Sequence, residues 1–287
     1  MGGAIATYST KNDMSEHTII IEKQRRVKLV QWSELIAYKD LLYFLVVRGI
    51  RARYAQSVLG VGWAVIQPLL TMLIFTVVFG RLAKVSSDGL PYALFSFCGL
   101  MAWTYFSGAL SEASNSLVSN ANMLSKVYFP RLILPLSGVF SKLLDFGITI
   151  IVMIVLLIFY GHVPTANLIY FPLMLLLLLI SAFGPSIILA AWSVQYRDIK
   201  HAMSFIVQIL MYAAPVVYPM SSVPEQYQMV YAINPMVGVI EGFRSSILGV
   251  NPMPWSAIAI GSGVSVIILF YGLYTFTRLE KTFADVA

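Results

Sequence analysis

Charged residues are missing from long stretches of this chain. No Asp, Glu, Lys or Arg occurs between Gly62 and Gly80, Gly89 and Ser111, Phe146 and Tyr196, Ala202 and Pro224, or Ser245 and Thr277. An uncharged run of about 18 or more apolar residues is long enough to cross a hydrocarbon core of about 30 Å. The run from Phe146 to Tyr196 is too long for one crossing, and Gly161-His-Val-Pro-Thr-Ala-Asn167 supplies a turn in its middle. The pattern therefore predicts six spans, at about 62–82, 90–111, 136–160, 168–193, 202–220 and 255–277. With no water in the hydrocarbon, a spanning backbone pairs its own polar groups, in helices or in a closed barrel. Runs such as Leu173–Ile180 show no polar alternation, so the expected fold is all-α and integral to the membrane.

Three segments are apolar without being able to span. Over 31–54, Leu35, Ile36, Leu42, Leu45 and Val46 share one helical face, with Glu34 and Lys39 off it and Ser33 placed to cap the start. Such a helix lies in the interface plane with its apolar side in the acyl boundary. It divides a polar tail, 1–30, from a membrane domain over 55–280, and 281–287 form a second tail. From Glu112 to Phe129, Leu117, Met123, Leu124 and Val127 sit among Ser and Asn, which predicts a short, mostly polar helix stopped by Pro130. Inert surface and a docking helix for a soluble partner both fit it. From Glu225 to Pro254, Asn234-Pro235 separates two short helices. In the second, Met236, Val239, Ile240, Phe243 and Ile247 line one face, while Glu241 and Arg244 occupy the other. This pair is expected to dip back into the outer leaflet.

Composition sharpens the picture. Of 287 residues, 59% are hydrophobic and 11% charged, and the mean hydropathy is +0.80. Soluble domains run at about 25% charged, so a soluble enzyme, a secreted disulfide scaffold and a nucleic-acid-binding module are excluded. The single cysteine, Cys98, lies inside an uncharged run. The net charge of +6 is a topology signal. With both termini in the cytoplasm, only Arg81, Lys84 and Arg244 of the 19 Lys and Arg fall outside. The surplus suits anionic lipid headgroups and calls for no nucleic acid. The first 28 residues hold no apolar core beside a small-residue cleavage site, so no signal peptide is expected.

Candidate chemistry is sparse. No Gly-x-x-x-x-Gly-Lys-[Ser/Thr] loop is present, and His17, His162 and His201 stand far apart without ligands at metal spacing. Catalysis, a resident cofactor and a metal are not expected. Arg48, Arg51 and Arg53 precede the first span and suit two roles: snorkelling anchors, or a cationic collar for a lipid phosphate. Lys142 and Asp145 are three residues apart on one helix, placed to neutralise each other or to serve a proton relay. Phe95, Trp103 and Phe106 lie deep in the second span, and Tyr212 and Tyr218 near the end of the fifth. These rings are either packing or the lining of a passage for sugars. Gln67-Pro68 and Pro215-Val-Val-Tyr-Pro219 are expected bends.

Read together, certain segments resemble a known family. Leu59-Gly-Val-Gly-Trp63-Ala-Val-Ile-Gln-Pro68-Leu, Lys126-Val-Tyr-Phe-Pro-Arg131 with Pro135, Tyr196-Arg-Asp198, Pro215-Val-Val-Tyr-Pro219, then Asn234-Pro235 and Arg244 follow in order. The set resembles the permease subunit of bacterial polysaccharide ABC exporters, over roughly residues 33–280. Gly62 stands where the pattern more often carries a larger apolar residue. The resemblance implies a homodimer of six-span chains in the inner membrane, bound to two copies of a separate ATPase that supplies ATP and Mg. The cargo would be an undecaprenyl-diphosphate-linked glycan such as O-antigen, met by Arg48, Arg51 and Arg53. Glu112, Ser119, Asn122, Lys126, Tyr128 and Arg131 would seat the ATPase on a coupling helix. Phe95, Trp103, Phe106 and Tyr212 would line the channel, and Tyr218, Asn234, Pro235, Glu241 and Arg244 would form an outer gate. Alternatives are a drug- or lipid-exporting permease of the same superfamily, a secondary transporter, or a membrane glycosyltransferase using Asp198 beside Arg197.

Overall fold

The computed structural model describes residues 32–55, 59–124, 126–196 and 198–280. Both predicted tails and Arg197 lie outside them. The described residues form helices and connecting turns, with no strand among them. The chain opens with α1 (Trp32–Ala37) and α2 (Lys39–Tyr54), separated at Tyr38, where φ −98° and ψ 21° leave the helical region. The single interface helix expected over 31–54 is therefore a broken one. Leu45 is buried, and Leu35 and Leu42 pack beside it, whereas Ile36 is exposed on the far side of the break.

Next comes α3 (Trp63–Phe75), opened by a 3-10 turn, Gly60–Gly62, and prolonged as a π-helix over Thr76–Leu82. Then follow α4 (Tyr92–Ser119), α5 (Ala121–Leu124), α6 (Ile133–Ser141), α7 (Leu143–Phe159), α8 (Phe171–Gln195), α9 (Ile199–Tyr212), α10 (Glu225–Tyr231), α11 (Pro235–Ile247) and α12 (Trp255–Leu279). Among the described residues, five segments are long and apolar enough to cross a membrane: Gly60–Leu82, Tyr92–Ser119, Ile133–Phe159, Ala166–Gln195 and Trp255–Leu279. The fifth predicted span, 202–220, needs correcting. Its helix, α9, stops at Tyr212 after 14 residues, about 21 Å at 1.5 Å per residue. Pro215 and Pro219 lie in the non-helical segment that follows.

The second span is corrected in the other direction. It runs on past Ser111, so Glu112 to Ser119 are its last turns and the separate coupling helix shrinks to the four residues of α5. Hydropathy marks where a chain leaves hydrocarbon, whereas a helix ends where its carbonyls lose partners. Here the Ser and Asn side chains bond back to the helix's own carbonyls, Asn115 to Ser111 at 2.8 Å, Ser116 to Ala113 at 2.7 Å and Asn120 to Ser116 at 2.8 Å, and the helix continues beside them to Ser119.

α4 is the central post. It packs against α3, α6, α7, α8, α9 and α11, and Phe95, Phe97 and Leu94 on it are fully buried. Without a hydrophobic drive between helices in lipid, close approach relies on small residues and interhelical hydrogen bonds. α8 and α12 meet in this way. A Cβ on Gly184 would lie 2.8 Å from the Leu269 nitrogen, and one on Gly272 2.8 Å from the Gly184 oxygen. Beside them the Ser181 and Ser265 hydroxyls share a hydrogen bond of 2.8 Å. The outer helices turn apolar faces away from the chain, among them Leu73 and Ile74 on α3, Ile154 and Ile158 on α7, and Ile267 and Phe270 on α12.

The helix ends sort into two groups. Contacts of Tyr92 with Val217, His162 with Leu248 and Tyr170 with Trp255 gather one end around α10 and α11. Those of Arg131 with Glu280, Ser193 with Ser114 and Tyr38 with Tyr128 gather the other around α1 and α2. The second end holds Arg48, Arg51, Arg53, Lys126, Arg131 and Arg278, and is called the basic end below.

Candidate functional site

Two charged clusters stand out, one at each end. At the basic end, the last turn of α2 carries Arg53 against the α4 and α7 helices. Its Nη1 donates to Asp145 Oδ2 at 2.9 Å, and its Nη2 to Glu112 Oε2 at 3.2 Å and to Ser141 Oγ at 3.3 Å. Lys142 Nζ reaches the same Asp145 oxygen at 3.3 Å, and the Tyr54 hydroxyl donates to Asp145 Oδ1. Partial burial, then the adjoining Asp145 carboxylate, push the Tyr54 phenol up to about 12. Two cations thus face two carboxylates, beside a cavity of about 390 Å³.

The expected Lys142–Asp145 pair is present, and Arg53 joins it. Arg53 therefore does not sit in an open collar with its neighbours: Arg48 and Arg51 are exposed, while Arg53 is partly buried and held by acids from two other helices. Glu112, expected on a coupling surface, faces Arg53 instead. Of the remaining coupling candidates, Ser119 donates to the Asn115 carbonyl at the end of α4, and Asn122 lies on α5. Buried Phe129 and Arg131, which donates to the Glu280 carbonyl, pin the excursion between α5 and α6, leaving Lys126 and Tyr128 exposed at its tip.

At the opposite end, α11 is buried on every face from Met236 to Ile247. Glu241 and Arg244 were expected on a polar face. They form instead a buried ion pair, with Nη1 on Oε1 at 2.8 Å and side chains 8% and 5% exposed. Arg244 Nη2 also donates to the Val216 carbonyl at 2.8 Å, and the guanidinium lies 3.6 Å from the centre of the Phe95 ring. Glu241 Oε1 accepts the Met220 N–H at 3.1 Å.

The purpose of this network follows from the break after α9. A helix that stops inside a membrane leaves carbonyls without partners, each costly unless paired. Asn234 Nδ2 donates to the Ala213 carbonyl at 2.8 Å, Arg244 serves Val216, and the Tyr92 hydroxyl serves Val217 at 2.6 Å. Asn234 also caps α11, through its Oδ1 and the Met236 N–H, with Pro235 in the first turn. Tyr218 and Tyr231 stack nearby, with hydroxyls 3.0 Å apart. Four of the five outer-gate candidates, Tyr218, Asn234, Glu241 and Arg244, hydrogen-bond within or around this segment.

The channel aromatics are placed differently from expectation. Phe95, Trp103 and Phe106 are buried within the chain, at 1%, 4% and 7% exposure, and Trp103 packs on Phe106. Their rings already have protein neighbours, Phe95 the Arg244 cation. Only Tyr212, half exposed, presents its ring outward. Tyr54, Tyr92 and Ser141 escaped sequence reasoning because a lone hydroxyl on an apolar helix gives no periodic signal.

A buried helical post, apolar outer faces and two charged clusters toward opposite ends of the helices define a polytopic membrane protein. The chain belongs to the ABC-2 type transporter family, whose model matches residues 40–248. It is 30% identical over 261 residues, 90% of this chain and 99% of the relative, to the O-antigen export system permease protein RfbA of Myxococcus xanthus. It is 21% identical over 242 residues, 83% of this chain and 92% of the relative, to the polysialic acid transport protein KpsM of Escherichia coli. With the inner membrane transport permease YadH of Escherichia coli it shares 22% over 241 residues, 80% of this chain and 93% of the relative.

Proposed function

We propose that this chain is the membrane-spanning subunit of an ATP-driven exporter of lipid-linked polysaccharide of the O-antigen class. The similarity to an O-antigen export permease along nearly that protein's entire length carries the reading. Two copies form the conduit in the inner membrane, and two copies of a separate ATPase drive it with ATP and Mg. The basic end faces the cytoplasm, as the excess of Lys and Arg there favours. α1 and α2 lie along that membrane surface, and the exposed tip at Lys126 and Tyr128, with α5 behind it, seats the ATPase. α10 and α11 re-enter from the outside, and the Ala213–Pro219 segment braced by Arg244 closes the outer mouth. The cargo hangs from an undecaprenyl diphosphate carrier.

The test is complementation. In a host lacking its O-antigen permease but retaining the ATPase, this chain restores glycan at the cell surface and relieves its accumulation inside. Restoration that survives ATP depletion, or sugar transfer by the purified chain alone, would overturn the reading.

A further inference from the structure

α8 and α12 run side by side in the same direction: Ser181 meets Ser265, and further along both, Gly184 meets Leu269. Glycines keep the backbones in contact there, but nearer the basic end both helices carry large side chains. Trp192, Gln195 and Tyr196 form a stripe at the end of α8, and Tyr271, Tyr274 and Arg278 a stripe on α12, each at the spacing of a single helix face. Between the stripes opens a groove of about 590 Å³, within the range of about 300–1,000 Å³ usual for small-molecule sites. The opposite faces of the two helices, at Ala190, Ala191 and Phe276, are buried in the core.

The groove offers one cation and a set of unspent hydrogen-bond donors. Arg278 is exposed and has no carboxylate in ion-pair reach among the described residues. The lining holds no Asp or Glu, and Glu280, two positions on, lies beside Arg131. The hydroxyls of Tyr196, Tyr271 and Tyr274 and the Gln195 amide make no hydrogen bond to any described residue. Depth adds to this. The 25 residues of α12 extend about 37 Å at 1.5 Å per residue, whereas the hydrocarbon is about 30 Å thick. The excess carries Arg278 into the headgroup layer, while Tyr271, about 10 Å nearer the bilayer centre, stays among acyl chains. Aromatic rings are common at this level, but here four converge on one groove with a guanidinium at its rim.

We infer that this groove binds an anionic membrane phospholipid, its phosphodiester on Arg278 and an acyl chain laid along the Trp192 and Tyr271 rings. A guanidinium grips phosphate oxygens by charge-assisted hydrogen bonds, and basic pockets between spanning helices take anionic headgroups. The rings alone would suit a choline ammonium equally well. Arg278, with no acid beside it, repels that cation and selects a headgroup without a positive charge. Phosphatidylglycerol answers to this chemistry: one phosphate for one guanidinium, and glycerol hydroxyls for the Gln195 amide and the Tyr196 hydroxyl. The lipid ties together the two helix ends beyond the point where glycines hold them. The site serves the fold rather than the cargo, and it holds whatever the chain exports.

Photolabelling tests this on the full-length chain in phosphatidylcholine liposomes. The probes are phosphatidylglycerol and phosphatidylcholine with the same diazirine-bearing acyl chain, each added as a trace, and the labelled peptides are mapped by mass spectrometry. Label on 192–196 and 271–279, relative to label on the apolar face of α7, is expected to be about fivefold heavier from phosphatidylglycerol, as one interfacial charge supports. Arg278→Gln, at an exposed helix end, is expected to bring the two probes to parity. Arg51→Gln removes a charge from the same end of the molecule but not from the groove, and is expected to keep the fivefold ratio. Parity in the unaltered chain would reduce the groove to an ordinary aromatic belt and overturn the inference. An equal loss of preference in Arg51→Gln would overturn it in favour of diffuse surface charge. Label from neither probe, with α7 labelled, would mean that protein covers the groove. None of these outcomes bears on complementation, so the export reading stands or falls separately.

Discussion

Arg244 shows how much one residue can hold. It neutralises Glu241, serves a carbonyl orphaned by the helix break and covers the Phe95 face, all at 5% exposure. Removing it leaves a buried carboxylate unpaired, and breaking such a pair costs about 3–5 kcal/mol. Arg244→Leu is therefore expected to lower the unfolding temperature sharply in detergent, and Glu241→Leu with Arg244→Leu to recover part of the loss. Full recovery is not expected, because the Val216 oxygen stays unpaired. A double variant less stable than the single one would contradict the assignment. Gly99 carries a related prediction. A Cβ there would lie 2.8 Å from Arg244 Nη2 and 3.1 Å from the Val216 oxygen, so Gly99→Ala is expected to cost about 1–3 kcal/mol by overpacking, measured in the same unfolding assay. At this scale the sequence was half legible. The Glu241–Arg244 pair is visible in its spacing of three, but Phe95 lies 149 positions away, and only the fold brings it under the guanidinium.

Helices repeat the lesson. Five spans were readable from uncharged runs, because a bilayer-crossing helix must be apolar along its length. The errors fell where hydropathy and hydrogen bonding part company. Ala213 to Pro219 is as uncharged as the run from Ala202 to Tyr212 before it, yet its prolines end the helix and side chains from other parts of the chain pair its carbonyls. Glu112 to Ser119 is polar, yet its side chains fold back onto the helix's own carbonyls and the helix runs on through it. Where two helices cross, small residues decide. Gly184→Val would drive a side chain into the α12 backbone at Leu269, and is expected to cost more than 3 kcal/mol, beyond the usual overpacking penalty of about 1–3 kcal/mol. Ser265→Ala removes one interhelical hydrogen bond, worth about 0.6 kcal/mol on average in a membrane protein. Equal losses in a denaturant titration would mean that hydrogen bonding, not the close backbone approach, sets the α8–α12 contact.

Across the whole molecule, the outward faces are not alike. α7 and α12 turn Ile151, Ile154, Val155 and Ile158, and Val266, Ile267 and Phe270, to their surroundings, which suits acyl chains. α3 and α9 also expose aliphatic side chains, but among them stand Gln67 and Gln208, two amides at membrane depth with exposed side chains. A carboxamide facing lipid costs free energy that a protein partner or a wet passage removes. On the proposed dimeric exporter, the α3–α9 side is expected to meet a second copy or the cargo, and the α12 side to meet lipid. Because Cys98 is wholly buried and is the chain's lone cysteine, introduced thiols report without background. Under mild oxidation in native membranes, Gln67→Cys or Gln208→Cys is expected to yield a disulfide-linked pair of chains, and Ile267→Cys to yield none. Crosslinks confined to Ile267 would turn the molecule around, placing α12 at the contact between copies and leaving the two amides to be explained by something other than a shared conduit.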